Sequence, residues 1–211
     1  MKVLLINGSP HKNGCTYTAL REIAKQLEKE NVECEIYQIG NKPIRGCIGC
    51  YKCKSSDKNL CIFNDDPVNE VIEKAKDADG FIFGSPVHFA SAAGSMISLL
   101  DRVNFAAAAS SNFAYKPAAS IVSARRAGTT AAYDQLNKYI GYSKMIMVPS
   151  TYWNMVHGST PEQVRQDEEG MQMMRTLGTN MAWLLKLIEA GKKNGVDYPI
   201  NEKIIRTNFI K

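Results

Sequence analysis

Apolar and polar positions follow one another along the chain in blocks that change period. Val3-Leu4-Leu5-Ile6 is a continuous apolar run closed by Asn7-Gly8, the pattern of a strand buried on both faces. A polar loop, Ser9 to Thr16, follows it. Leu20, Ile23, Ala24 and Leu27 then fall at i, i+3, i+4 and i+7, one stripe of an amphipathic helix. Val32 to Ile39 alternates and reads as a second strand, and Pro43 to Asp66 is irregular. Asp66-Pro67 offers an N-cap and a first-turn proline to a helix with the stripe Val68, Val71, Ile72, Ala75. Gly80 to Gly84 reads as a third strand, Ser85 to Ala93 as a loop and Gly94 to Ala109 as a helix. Ala118 to Val122 is expected as a fourth strand and Ser123 to Thr130 as a loop. A helix from Ala131 to Tyr139 then leads to a fifth strand, Met145 to Val148. Thr160-Pro161-Glu162-Gln163 is a capping box with proline at the first helical position. The helix it opens is expected to span about 161–190, with Met171, Met174, Met181, Leu184, Leu185 and Ile188 inward and bends at Gly170 and Gly178. The remaining tail is polar and reads as irregular.

Five strands alternating with five helices predict a parallel sheet with right-handed crossovers. The expected fold is α/β: a flavodoxin-like, doubly wound five-stranded sheet in three α/β/α layers, with residues 1–211 as one domain and 43–66 as an insertion. In that strand order a ligand lies at the carboxyl ends of the strands, beside the switch point between the first and third. The loops Ser9–Thr16, Ser85–Ala93 and Ser123–Thr130 all leave strands and are expected to converge there.

Composition narrows the picture. With 45% hydrophobic and 22% charged residues among 211, the chain is an ordinary globular one, and global disorder is excluded. No apolar run approaches the roughly 18 residues of a membrane helix, and Met1 to Ile6 is too short for a signal peptide. The expected location is the cytoplasm. The net charge of +5 suits an anionic small ligand, but it is too diffuse to argue for nucleic acid. Six cysteines in such a chain read as thiols, metal ligands or redox groups rather than disulfides.

The first loop joins a buried strand to a helix N-terminus, where free N–H groups and the helix dipole attract a phosphate. Ser9, Asn13 and Thr16 add polar donors, and Gly14 lets the backbone come close. Neither the dinucleotide fingerprint nor the ATP-type P-loop is present, so a monophosphate fits better than a pyrophosphate. The alternative is that these residues merely cap the helix. In the second loop Pro86 holds Ser85 extended, and Val87, His88 and Phe89 offer an apolar and aromatic wall. Singly, His88 reads as a loop histidine, and Asp101 and Arg102 on the next helix read as packing and ion-pairing residues. In the third loop Arg125 and Arg126 suit a phosphate on a second ligand, or are solvated surface charges. Tyr152-Trp153 after the fifth strand suits ring stacking, a subunit interface or core packing.

The opening Gly8-Ser9-Pro10 with Asn13-Gly14-Cys15-Thr16, and Gly84-Ser85-Pro86-Val87 followed by Leu99-Leu100-Asp101-Arg102, resemble the NADPH-dependent FMN reductases over roughly residues 1–190. The segment Gly46 to Cys61 resembles the iron–sulfur flavoprotein branch of that family. The resemblance implies a flavodoxin-like fold, bound FMN and a homodimer or homotetramer. It implies that Ser9, His11, Asn13, Cys15 and Thr16 hold the FMN phosphate. Pro86 to Phe89 and Ser123 to Gly128 would flank the ribityl chain and the ring. The sequence departs from the family's habit at Cys15, at His88 and in the third loop, which lacks a double glycine.

Cys47-x2-Cys50-x2-Cys53-x7-Cys61 places four thiols within 15 residues. Such a set suits a four-iron four-sulfur cluster or a structural zinc, and the close spacing of the first three favours the cluster. A loop of buried or redox-sensitive free thiols stays open beside it. Cys34 alternates with Val32 and Ile36 and reads as a buried strand residue. The expected activity is FMN-dependent NAD(P)H oxidoreduction, with hydride passing to flavin N5 and onward to a flavin, quinone, azo or nitro compound or iron–sulfur carrier. That chemistry requires no protein acid or base, and none is assigned. The alternatives are an electron carrier reduced by a partner protein and a cysteine-based redox or metal sensor.

Overall fold

The computed structural model describes residues 1–55, 57–107, 112–203 and 205–210. The chain runs β1 (Lys2–Asn7), α1 (Cys15–Lys29), β2 (Glu33–Gln38), α2 (Lys52–Ser55), α3 (Val68–Asp77), β3 (Gly80–His88) and β4 (Ser91–Ala92). It continues with α4 (Gly94–Ala107), β5 (Pro117–Ala124), α5 (Thr129–Tyr142), β6 (Ile146–Met147), β7 (Met155–His157), α6 (Pro161–Gln166) and α7 (Glu168–Lys193). The central sheet has the order β2-β1-β3-β5-β6, with β4 paired to β3 and β7 to β5. Every pair is parallel except β3–β4. From β1 the chain steps outward to β2 and then crosses back to β3, which makes the β1/β3 boundary the switch point of a flavodoxin-like sheet.

Helices cover both faces. One layer has α1 against α7, and the other has α3 and α5 on either side of α4. This explains the unbroken apolar runs: Val3 to Ile6 are all but inaccessible, and all eight positions of β5 are buried. The stripes predicted for α1 and α3 are the buried faces of those helices. Asp66 caps α3 from just outside it, its Oδ1 accepting from Val68 N at 3.2 Å.

Three expectations change. The third strand does not stop at Gly84 but runs on to His88 and turns back through β4. The fifth strand is split: β6 pairs with the start of β5, and β7, which the sequence did not reveal, pairs with its end. The C-terminal helix is divided at Asp167 into α6 and α7. Asp167 accepts from Gly170 N at 3.0 Å and so caps α7 itself. The helix expected over Gly94 to Ala109 is α4, and its last two positions, 108 and 109, lie outside the described residues.

Candidate functional site

β1, β3, β5 and β7 end on one side of the sheet, and there they frame a cleft of about 170 Å³. Ser9, His11, Cys15 and Thr16 line it from the first loop and α1. Pro86 and Val87 come from β3, Ser123, Ala124 and Arg125 from the end of β5, and Gly158 from the residue after β7.

The first loop is tied down by backbone and side-chain hydrogen bonds. Gly8 N donates to Gly84 O at 2.8 Å. A Cβ at Gly8 would lie 2.8 Å from that oxygen and 2.9 Å from Met96 Cβ, so only glycine lets β1 approach β3 this closely. Asn7 Oδ1 accepts from Ser9 N at 3.2 Å, and Ser9 Oγ accepts from His11 N at 3.1 Å. Gln38 Nε2 donates to Ser9 O at 2.6 Å, tying the loop to the end of β2. α1 starts from Gly14 with no side-chain cap. The orphan N–H groups of its first turn are left for a ligand, on the positive end of the helix dipole. Thr16 Oγ1 and Ser123 Oγ are 2.8 Å apart and join α1 to β5 at the cleft floor. The Cys15 thiol contacts Gly158 O at 3.6 Å, and burial pushes its pKa up, so it is the neutral thiol near pH 7.

Other residues expected at the cofactor lie around the cleft rather than in it. Gly14 is the N-cap of α1. Asn13 is exposed and faces the outer groove beside Tyr17 and Arg21. Ser85 is buried: its Oγ donates to Pro86 O at 2.9 Å and accepts from Ala93 N at 2.9 Å, holding β3 to the start of α4. His88 ends β3 and is exposed. Phe89 and Ala90 form the two-residue turn between β3 and β4 with φ of 50° and 59°, and Phe89 is wholly exposed. Gly128 supports that turn from below; its φ is 90°, and a Cβ there would meet Ala90 Cα at 2.7 Å. Arg126 is exposed and does not line the cleft. The sequence reading missed Gly8 and Gly158 as shaping residues. Gly158 follows the three-residue β7, whose pairing exists only in the folded sheet.

A second candidate site lies in the insertion. Cys47, Cys50, Cys53 and Cys61 all line one pocket, walled by the apolar Ile48, Ile62, Phe63 and Phe105. Gly49 N donates to Cys47 Sγ at 3.5 Å. The left-handed φ of Gly49 (65°) and Tyr51 (59°) turn the chain on both sides of Cys50. Cys47 and Cys50 are exposed, Cys61 is half-buried, and Cys53 is buried, which pushes its thiol pKa up. Asn69 clamps Cys61 from α3, accepting from its N–H at 2.8 Å and donating to its carbonyl at 2.9 Å. Among the described residues no three Cys, His, Asp or Glu side chains gather closely enough to hold a single metal ion. Arg102, read from the sequence as an ion-pairing residue, forms a buried pair with Asp66 beneath this pocket. Asp101 accepts from Tyr139 Oη at 2.5 Å. Cys34 is half-buried on β2, and burial pushes its thiol pKa up to about 12.

The sequence profile of the NADPH-dependent FMN reductases matches residues 1–160. An iron–sulfur flavoprotein of Methanocaldococcus jannaschii is 32% identical over 199 residues, covering 90% of this chain and 100% of that one. An iron–sulfur flavoprotein of Archaeoglobus fulgidus is 30% identical over 177 residues, covering 83% of this chain and 86% of the relative. The structure of an archaeal flavodoxin superposes with a TM-score of 0.60 at 15% identity, over 88% of this chain and 99% of the flavodoxin, a likeness of fold. The chain belongs to the NADPH-dependent FMN reductase family, in its iron–sulfur flavoprotein branch. It is therefore a flavin-dependent oxidoreductase by family. Among the described residues no helix is long and apolar enough to cross a membrane.

Proposed function

We propose that this protein holds FMN in the strand-end cleft and passes electrons from NAD(P)H to an acceptor. The observation that carries the reading is the uncapped N-terminus of α1 opening into a cleft shared by three strand-end loops. Its first-turn N–H groups and Thr16 Oγ1 suit a terminal phosphate dianion, and one helix end suits one phosphate rather than a pyrophosphate. Pro86 and Val87 offer an apolar wall to a ring, and Arg125 offers a guanidinium to a second phosphate, such as that of a nicotinamide nucleotide. When bound, FMN supplies the hydride and single-electron chemistry that no side chain of the cleft can perform.

The cysteine pocket fits a four-iron four-sulfur cluster held by Cys47, Cys50, Cys53 and Cys61. The reading rests on four thiols around one pocket with apolar walls and on the close spacing of the first three. A cluster there would store single electrons near the surface, since Cys47 and Cys50 are exposed. The same exposure favours a second reading, a carrier reduced by a partner redox protein. A homodimer or homotetramer and a cytoplasmic location belong to the proposal.

Two measurements test it. FMN at 100 times its dissociation constant should add about 2.7 kcal/mol of stability in a thermal shift assay, and FAD should add much less. Steady NADPH or NADH oxidation by the purified FMN-loaded protein with a quinone or flavin acceptor is expected. Tight FMN binding without NAD(P)H oxidation would favour the carrier.

A further inference from the structure

Arg102 is a buried arginine with every donor engaged. Its side chain is 1% exposed and that of Asp66, its ion-pair partner, 2%. The guanidinium has five N–H groups. One on Nη1 goes to Asp66 Oδ2 and the other to Arg45 O at 3.2 Å. On Nη2 one reaches Phe63 O at 3.4 Å. The remaining two, from Nε and Nη2, converge on a single atom, Cys61 Sγ, each at 3.3 Å. Thus one side chain on α4 grips both ends of the insertion, and two of its five donors are given to a sulfur of the cysteine pocket.

A strut alone does not require that arrangement. The ion pair with Asp66 and the bonds to the carbonyls of Arg45 and Phe63 already tie the insertion to α4. A fork of two N–H groups on one sulfur also fixes where that sulfur lies and places a positive charge against it. Hydrogen bonds to ligand sulfurs and local charge are among the factors that set a cluster's potential. Donors and positive charge stabilise the more negative, reduced state, so they raise the potential.

We propose that Arg102 is a positioning residue for the cysteine site: it aims the Cys61 sulfur into the pocket and holds the reduction potential of a bound four-iron four-sulfur cluster up. The proposal rests on the reading of the pocket as a cluster site.

Arg102→Lys keeps the charge and the pairing with Asp66 but cannot fork onto Sγ. Asp66→Asn removes the ion pair and leaves the guanidinium on the sulfur. Wild type and both variants would be purified without oxygen. Iron, acid-labile sulfide and FMN would be counted, and the cluster titrated with redox mediators while its electron paramagnetic resonance signal is followed. In Arg102→Lys the ratio of reduced to oxidised cluster at a fixed solution potential should fall about tenfold, a downward shift of about 59 mV for one electron. FMN content should be unchanged, and Asp66→Asn should move the potential much less. Loss of iron from Arg102→Lys with FMN kept, while Asp66→Asn keeps its iron, supports the same role. Overturning results are an unmoved potential in Arg102→Lys, an equal shift in both variants, or equal loss of iron from both; any of these makes Arg102 a loop strut. Wild-type protein with neither iron nor sulfide would overturn the cluster reading itself, and the role of Arg102 with it.

Discussion

At the scale of single residues, neighbours in sequence part company in function. Arg125 and Arg126 are adjacent, yet only Arg125 lines the cleft, because β5 ends at Ala124 and the turn sends the next side chain to solvent. A sequence offers such a pair as one motif; the turn separates it. Arg125→Ala should therefore raise the KM for NADPH about tenfold, the loss of one charge-assisted hydrogen bond of roughly 1.5 kcal/mol, while Arg126→Ala should leave it within twofold. Equal effects of the two changes on steady-state KM would mean that only diffuse charge matters. Cys34 shows the same dependence on surroundings. With its pKa pushed up to about 12, mostly by burial, it stays protonated and unreactive at pH 8. Iodoacetamide at that pH, followed by peptide mass spectrometry, should spare Cys34 in the folded protein and label it once unfolded. Rapid labelling of the native state would show that the β2 edge opens readily.

Among the elements, those buried on both faces were legible and those made by pairing alone were not. Val3 to Ile6 and Gly80 to Phe83 announce themselves because both faces of the sheet carry helices. The extension of β3 through Ser85-Pro86 was hidden, since serine and proline signal a loop. β1 leaves β3 at the Asn7–Gly84 pair, while β5 stays with it as far as Ser123. Past Gly84 the strand is therefore an edge, where a missing N–H is tolerated. β7 has three residues, too few for any period to show. The glycines flagged as helix bends are positions of close approach. A Cβ at Gly178 would meet Gln26 Cβ at 2.7 Å on α1, and one at Gly170 would strike Asp167 Oδ2 at 2.3 Å. Asp167 does more than break the helix: besides capping α7 it accepts from His157 N at 2.6 Å, which fixes the strand end that presents Gly158 to the cleft. Asp167→Ala should cost about 1–2 kcal/mol, in the range of a lost cap. That lowers Tm by about 2–8 °C for a domain of this size, and FMN binding should weaken with it. A lower Tm with unchanged FMN affinity would show that β7 keeps its place without the aspartate.

Across the whole molecule, two candidate redox sites share one scaffold but hang from different parts of it. The cleft is built from strand ends and the start of α1, all anchored in the sheet. The cysteine pocket is built from the insertion after β2 and rests on α3 and α4 through Asn69, Arg102 and Phe105. The sequence disclosed both as clusters of residue types, the first by a strand–loop–helix junction and the second by spacing. It could not disclose that a helix residue 41 positions beyond Cys61 closes on its sulfur, because that contact depends on how α4 packs. Separate supports imply separable losses. Cys50 is exposed and, among the described residues, makes no hydrogen bond to the sheet, so Cys50→Ser removes one thiol with little disturbance to the fold. If the four thiols hold one cluster, the loss of one ligand leaves it labile, and nearly all iron and acid-labile sulfide should vanish from protein purified without oxygen. FMN should stay, and NAD(P)H should still bleach the flavin, while transfer to a one-electron acceptor should slow. Loss of FMN together with iron would mean that the two sites are mechanically one. Release of zinc with a lower Tm and no change in visible absorption would assign the thiols to a structural metal. A wild-type protein carrying neither metal nor sulfide would leave the pocket to thiol chemistry and the cleft as a plain flavin reductase.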